Sequence, residues 1–104
     1  MTDNTKLPTC LDERSAAQLA ELFRAIGDAT RVRILSAIAE YALNVSTIAL
    51  LVGISESGVS HHMRGLRQMR LVRTQKHGRE VYYTLDDAHV SELFKMGLEH
   101  VNHK

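Results

Sequence analysis

The stretch that decides the fold is VSTIALLVGISESGVSHHMRGL, residues 45–66. Within it, Ala49, Gly53 and Val59 are spaced by four and then six residues, which is the arrangement of a helix-turn-helix. A small residue allows the two helices to cross closely, a glycine can adopt the left-handed conformation in the turn, and an aliphatic residue anchors the second helix. The stretch therefore predicts a helix-turn-helix, although any compact helical hairpin could show the same spacing.

Apolar residues recur at helical spacing on both sides of this stretch. The predicted helices cover residues 15–26, 28–40, 45–52, 55–69 and 87–101. The predicted N-caps are Ser15, Asp28 or Thr30, Ser55, and Asp86 or Asp87. Gly27 and Gly53 are the predicted stops of the first and third helices, because glycine is common directly after a helix.

A β-hairpin is predicted after the fourth helix. Residues 71–85, LVRTQKHGREVYYTL, contain two β-prone runs on either side of His77-Gly78, where the glycine can supply the positive φ of a tight turn. A hairpin directly after the second helix of a helix-turn-helix is interpreted as a wing. The predicted fold is therefore mainly α with a small β-hairpin wing, a winged helix-turn-helix in the order α-α-α-α-β-β-α.

Length and composition indicate one soluble globular domain, with 104 residues of which 44% are apolar and 24% charged. Residues 1–12 are polar and hold the only proline, so we expect a flexible arm before a DNA-binding and dimerisation domain over residues 13–104. No apolar run reaches the ~18 residues of a membrane span, so no membrane partner is expected. The single cysteine, Cys10, has no internal partner, which favours the reducing cytoplasm.

Basic residues are concentrated between His61 and Glu80, where six arginines and lysines stand against one acidic residue in a chain of net charge +1. Such a block suggests a polyanion partner, the alternative being a solvated basic helix, and with the helix-turn-helix it favours double-stranded DNA. The predicted DNA contacts are Ser55, Ser57, Ser60, His61 and Arg64 on the fourth helix, and Lys76 and Arg79 on the wing. Ser57, Ser60 and His61 are suited to base edges, Arg64 can reach a base or a phosphate, and the wing cations are suited to phosphates. Arg67 and Arg70 are interpreted as lying on a solvated face of the helix, and the role of His62 is left open.

Four side chains on the last helix could bind a divalent metal, namely Asp87, His89, His100 and His103. His89 and His100 are 11 residues apart, so they point nearly the same way but lie roughly 16 Å apart along a straight helix. One zinc ion needs nitrogens about 2.0 to 2.1 Å away, so one helix cannot bring both ends to one ion. Two antiparallel copies could, with three imidazole nitrogens and one carboxylate oxygen at each of two sites. The alternative is that an exposed polar tail collects histidines by chance.

Together these motifs resemble the ArsR–SmtB family of winged-helix metal-sensing repressors. The resemblance covers about residues 15–103 and is carried by DATRVRIL, SESGVSHHMRGL and LVRTQKHGREVYYTL. The D-x-H and H-x-x-H pairs of the last helix resemble the "α5" site of the zinc-sensing branch of that family. The resemblance implies a homodimer formed through the first and last helices, a metal-free form that binds an operator with inverted symmetry, and release of that operator on zinc binding.

The resemblance also implies residue roles. Asp87, His89, His100 and His103 become the inducer ligands. His61 matches the position whose backbone carbonyl accepts a hydrogen bond from a metal-bound histidine, here His100. Relatives that sense cadmium, lead or arsenic carry cysteines in the second helix or near the start of the third, whereas residues 42–47 contain none. Imidazole and carboxylate ligands favour zinc, with cobalt close behind.

Two other readings remain open at this point. The chain could be a winged-helix regulator that responds to another metal, such as cobalt or nickel, or to a non-metal signal, with incidental histidines. An enzyme is the third class, and the residues argue against it. Four protein ligands leave no open position for water on a zinc ion, and the sequence shows no Ser-His-Asp or Cys-His arrangement.

Overall fold

Five helices and three short strands make up the computed structural model, which describes residues 8–103. The elements are α1 Glu13–Ile26, α2 Ala29–Ala37, β1 Leu43–Asn44, α3 Val45–Val52, α4 Glu56–Gln68, β2 Val72–His77, β3 Glu80–Leu85 and α5 Ala88–Asn102. The winged helix-turn-helix fold is thereby confirmed. None of the described helices is long and apolar enough to cross a membrane.

Local hydrogen bonds define the helix starts. The prediction of Ser15 as the cap of α1 is wrong, because Asp12 caps this helix by accepting a hydrogen bond from the Ser15 N–H at 3.0 Å. Asp28, rather than Thr30, caps α2. Ser55 caps α4 and Asp87 caps α5, as predicted. Helix α2 ends at Ala37, three residues before the predicted end at residue 40.

The sheet contains a short strand that sequence patterning did not predict. Strand β1 pairs antiparallel with β3, which places Leu43 opposite Tyr83 and Asn44 opposite Tyr82. The sheet order is β1-β3-β2. Two residues carry too little alternation to signal a strand, and the pairing depends on a hairpin about 40 residues further along the chain.

The wing is a hairpin with a two-residue turn. His77 pairs with Glu80, so Gly78 and Arg79 form the turn, and Gly78 has φ of 65°. A glycine with positive φ at the first central position, followed by a residue with negative φ, is the pattern of a type II′ turn. The predicted role of Gly78 is therefore confirmed.

The core lies between α2, α3, α4 and the base of the wing. Its buried residues are Ile34, Leu35, Ile38, Ile48, Ala49, Val52, Val59, Met63, Leu66, Leu71, Val72 and Leu85. Ala49 and Val59 are among them, and Gly53 has φ of 80°, as the helix-turn-helix spacing predicts. Helices α1 and α5 contribute no fully buried residue. The folded chain thus holds the helix-turn-helix rigidly and leaves the outer helices half covered.

The predicted N-terminal arm lies partly outside the described residues, since the structure describes the chain from Pro8 onwards. Residues 8–12 precede α1 without regular secondary structure, and all are exposed. Cys10 is an exposed free thiol.

Candidate functional site

Helix α4 presents a polar outer face while its inner face is fixed in the core. Val59, Met63 and Leu66 are buried, with at most 1% of their surface exposed. Ser57, Ser60, His61 and Arg64 are all exposed. The structure therefore displays together the α4 side chains that the sequence predicts as DNA contacts.

Ser55 differs from the other predicted contacts because its hydroxyl is already engaged. Its Oγ accepts a hydrogen bond from the Gly58 N–H at 3.0 Å and lies 3.1 Å from the Ser57 Oγ. The Ser55 hydroxyl therefore caps the amino-terminal end of α4. It also orients the Ser57 hydroxyl at this end, where the helix dipole is positive.

The basic side chains around α4 and the wing are free cations. Lys76 and Arg79 are exposed near the tip of the hairpin. The only side-chain ion pair between residues 8 and 103 joins His89 and Asp87, so no arginine or lysine of this block has a carboxylate within 4.0 Å. Unpaired cations on one face can neutralise phosphates without first breaking an internal salt bridge.

A hydrogen-bonded bridge, which sequence patterning did not predict, holds the wing against α3. The Glu80 carboxylate accepts hydrogen bonds from the Asn44 Nδ2 at 3.2 Å and from the Tyr82 hydroxyl at 3.0 Å. The bond to Glu80 raises the pKa of Tyr82, since it stabilises the protonated phenol. Asn44 also caps α3 by accepting a hydrogen bond from the Thr47 N–H at 2.9 Å. The bridge thus links the wing to the first residues of the helix-turn-helix.

A second hydrogen-bonded bridge gives His62, whose role the sequence left open, a structural function. Its half-buried ring accepts a hydrogen bond at Nδ1 from the Arg31 Nε at 3.2 Å, while an Arg31 Nη donates to the Ala25 carbonyl at 3.3 Å. Gly65 makes room for the guanidinium, because a β-carbon there would lie 2.6 Å from an Arg31 nitrogen. Arg31 therefore ties α4 to the carboxyl end of α1. Sequence patterning gives no signal for this contact, which joins residues 31 positions apart.

Asp87 and His89 form the first half of the candidate metal site. The Asp87 Oδ1 accepts a hydrogen bond from the Val90 N–H at 3.1 Å, which lowers the pKa of this carboxyl. Its Oδ2 lies 3.5 Å from the His89 Nδ1. Two ligands on one tetrahedral zinc ion are about 3.3 Å apart, given metal–ligand distances near 2.0 Å. One carboxylate oxygen therefore caps α5 while the other stands beside an imidazole at nearly ligand spacing.

His100 and His103 lie at the opposite end of α5, where His103 is the C-cap and donates its backbone N–H to the His100 carbonyl at 3.3 Å. Both side chains are exposed. Between residues 8 and 103, a single chain brings no three of its histidine, cysteine or acidic side chains into a group that could hold a metal ion. The four predicted ligands therefore lie as two pairs at opposite ends of α5.

The outer face of α1, α2 and α5 is apolar, and the part of the chain that the structure describes does not cover it. It contains a cavity of 360 Å³ lined by Phe23, Ile26, Val32, Leu35, Val90, Leu93, Phe94, Gly97, Leu98 and Val101. Phe23 is 53% exposed, Met96 67% and Val101 74%. An exposed apolar face that extends over three helices is typical of a protein–protein interface.

The fold and the exposed cations define a winged helix-turn-helix DNA-binding protein. Residues 28–74 match the family described as bacterial regulatory protein, arsR family. The chain is 42% identical over 94 residues to the transcriptional repressor SmtB homolog of Synechocystis sp., covering 90% of this chain and 71% of that protein. The chain belongs to the ArsR family.

Two further comparisons agree with this assignment. The transcriptional regulator NmtR of Mycobacterium tuberculosis is 36% identical over 93 residues, covering 89% of this chain and 78% of NmtR. The solution structure of the homodimeric winged helix-turn-helix domain of Mb0332 from Mycobacterium bovis superposes with a TM-score of 0.78 at 26% identity, covering 93% and 96% of the two chains. The matched family, the SmtB homolog and NmtR are all described as transcriptional regulators, which confirms the prediction that the chain is a regulator and not an enzyme.

Proposed function

We propose that this protein is a zinc-responsive transcriptional repressor. Its metal-free homodimer binds an operator with inverted symmetry, and zinc bound between the two α5 helices releases the DNA. The observation that carries the proposal is the division of four candidate metal ligands into two pairs at opposite ends of α5. The apolar face of this helix is left partly exposed by residues 8–103.

A second copy of the chain would complete both the apolar face and the ligand set. If two α5 helices run antiparallel, Asp87 and His89 of one copy meet His100 and His103 of the other. The apolar side chains of α1 and α5 would be covered by the same contact, which favours this face as the dimer interface. The geometry of Asp87 supports the arrangement, because its Oδ1 caps α5 while its Oδ2, which the cap does not use, lies 3.5 Å from the His89 Nδ1.

The donor set decides which metal fits. Three imidazole nitrogens and one carboxylate oxygen suit zinc, and cobalt next, whereas soft ions prefer thiolates. Cys10 is the only thiol of the chain and stands before α1, so we assign it no part in the site. The names of two relatives, the SmtB homolog repressor and NmtR, agree with a role in transcription regulation.

On the DNA side, α4 enters the major groove with its amino-terminal end first. Base edges are approached by Ser57, Ser60 and His61, and Arg64 reaches a base or a phosphate. The Ser55 oxygen already accepts the capping hydrogen bond, so Ser55 contacts DNA only by donating its hydroxyl proton. Lys76 and Arg79 on the wing bind phosphates and so fix the register of the protein on the duplex.

Coupling between the two sites requires that a change at α5 reaches α4. The first route is a hydrogen bond from His100 to the backbone carbonyl of His61, which would also fix the tautomer of the bound imidazole. The second is the Arg31 bridge, since Arg31 joins α4 to the carboxyl end of α1, which shares the apolar face with α5. Bound metal would hold the interface, and with it the spacing of the two α4 helices, in an arrangement unfit for successive major grooves.

The decisive experiment titrates the purified protein, bound to an operator duplex selected from a random DNA library, with zinc, cobalt, nickel and cadmium in turn. We expect one zinc ion per chain and loss of the fluorescence anisotropy of the labelled duplex. His100→Ala and Asp87→Asn should bind DNA normally without metal but should no longer release it. Cys10→Ser is the matched control and should behave like the wild type.

Two outcomes would contradict the proposal. Release of DNA by zinc from the His100→Ala protein would show that the histidines are not the inducer site. Release of DNA only by nickel or cadmium, or by none of the four metals, would favour the alternative of a regulator that responds to a different signal.

A further inference from the structure

A polar groove runs between α4 and the wing. It has a volume of 470 Å³ and is lined by Ser60, Arg64, Arg67, Gln68 and Tyr83. Ser60, Arg64 and Arg67 follow one another at intervals of four and three residues along α4, so they share one face of this helix. Tyr83 on β3 forms the opposite wall.

We infer that this groove binds the sugar–phosphate backbone of the operator, with Arg67 and Tyr83 as phosphate-binding residues. The inference rests on the proposed function and extends its DNA-binding surface by residues that sequence patterning treated as solvated or did not consider. The occupant follows from the chemistry of the lining, since two guanidinium groups, an amide and two hydroxyls can all donate hydrogen bonds and no lining residue is acidic.

The position of the groove points to the same ligand. When α4 lies in the major groove and the wing reaches the adjacent minor groove, the strand of phosphates that separates those two grooves must pass between α4 and the wing. Ser60 and Arg64 belong both to the predicted base-reading face and to the groove, so the two surfaces are continuous. Arg67 is exposed and no carboxylate lies within 4.0 Å of it in the described part of the chain, so its charge is available to a phosphate.

Arg70 provides a matched control. It is also an exposed arginine near the end of α4, but it does not line the groove. Replacing either arginine with glutamine removes the same charge and retains a side chain of similar polarity. A general effect of net charge on DNA binding would therefore appear in both variants, whereas a phosphate contact in the groove would appear only in Arg67→Gln.

The test measures the affinity for the selected operator duplex and for a random-sequence duplex over a range of salt concentrations. Each phosphate contact contributes about 0.9 to the slope of log affinity against log salt. A dimer of Arg67→Gln loses two contacts, so its slope should fall by about 1.8, and its affinity at 0.15 M salt should fall about 30-fold. The fall should be similar on both duplexes, because phosphates carry no sequence information.

Tyr83→Phe distinguishes the contribution of Tyr83 from that of Arg67. Loss of its uncharged hydroxyl should weaken operator binding severalfold while the salt slope stays at the wild-type value, because no charge is removed. Wild-type binding together with wild-type slopes in Arg67→Gln, or equal losses in Arg67→Gln and Arg70→Gln, would overturn the inference about the groove alone. A wild-type protein that binds neither duplex would instead overturn the proposed repressor function.

Discussion

Replacing Gly65 with alanine tests the Arg31 bridge between α1 and α4. A β-carbon on Gly65 would lie 2.6 Å from one Nη atom of Arg31 and 3.0 Å from its Cζ, far inside ordinary van der Waals contact. The guanidinium must therefore move. Its hydrogen bonds to the His62 ring and the Ala25 carbonyl are already 3.2 and 3.3 Å long, so we expect both to break.

Two opposing terms set the size of the effect. A hydrogen bond from a charged donor generally contributes about 1.5 to 3 kcal/mol to stability. Because water partly screens the half-buried Arg31, we assign about 1 kcal/mol to each of its two hydrogen bonds. Alanine is favoured over glycine inside a helix by about 1 kcal/mol. Gly65→Ala should therefore lower the free energy of unfolding by about 1 kcal/mol.

The sign of the effect should reverse when Arg31 is absent. In an Arg31→Ala background the three atoms closest to the new methyl group are absent and no bridge can be lost, so Gly65→Ala should stabilise the protein by about 1 kcal/mol. The coupling free energy between the two positions is then about 2 kcal/mol. Urea unfolding followed by circular dichroism measures all four proteins, at one protomer concentration because dimer stability depends on it. A stabilised Gly65→Ala in the presence of Arg31, or equal effects in both backgrounds, would refute the reasoning.

Three further predictions concern backbone conformation and pH. The backbone N–H of Arg31 donates a hydrogen bond to Asp28 and lowers the pKa of this carboxyl from its ordinary value of 3.8. The ionised Asp28 therefore stabilises the fold above pH 3.8, and this stabilisation is lost as the pH falls through the lower pKa of the folded state. Asp28→Asn keeps the cap without titrating, so its urea midpoint should depend less steeply on pH below about pH 4 than that of the wild type; parallel curves would contradict this. Arg70 has φ of 57° in the turn after α4, where the Leu71 N–H bonds to the Leu66 carbonyl at 2.9 Å. Arg70→Gly should raise the thermal midpoint, gaining up to about 1 kcal/mol, while Arg70→Ala should not; an equal rise in both would exclude relief of backbone strain. Zinc affinity, measured by competition with a chromogenic chelator, should fall steeply from about pH 8 to pH 5.5 as the imidazoles take up protons, and a flat profile would exclude histidine ligands.

The elements that the sequence predicted well are those fixed by local chemistry. Gly53 and Gly78 adopt the positive φ that their turns require, and Ser55 caps α4 through a hydrogen bond to a residue three positions away. The miss at Ser15 has the same local origin, since both Asp12 and Ser15 are good capping residues and only the hydrogen bond from Ser15 to Asp12 decides between them.

The sequence was enough to predict the candidate residues of the site, but not the contacts that connect them to the rest of the fold. The type and spacing of Asp87, His89, His100 and His103 suffice to predict two half sites, because the rise of a helix per residue is fixed. Arg67 was interpreted as solvated, because nothing in the pattern of α4 shows that the wing folds back and places Tyr83 opposite it.

The sequence by itself determined the helix-turn-helix, the hairpin and the separation of the ligand pairs, because each depends on residues close together in the chain. Only the tertiary structure decided that Arg31 reaches His62, that Glu80 reaches Asn44 and that β1 joins the sheet. These contacts join residues 31 or more positions apart. Each of these contacts involves only one or two residues on either side, so it leaves no periodic pattern in the sequence. The contacts form only when the packed core brings distant elements together.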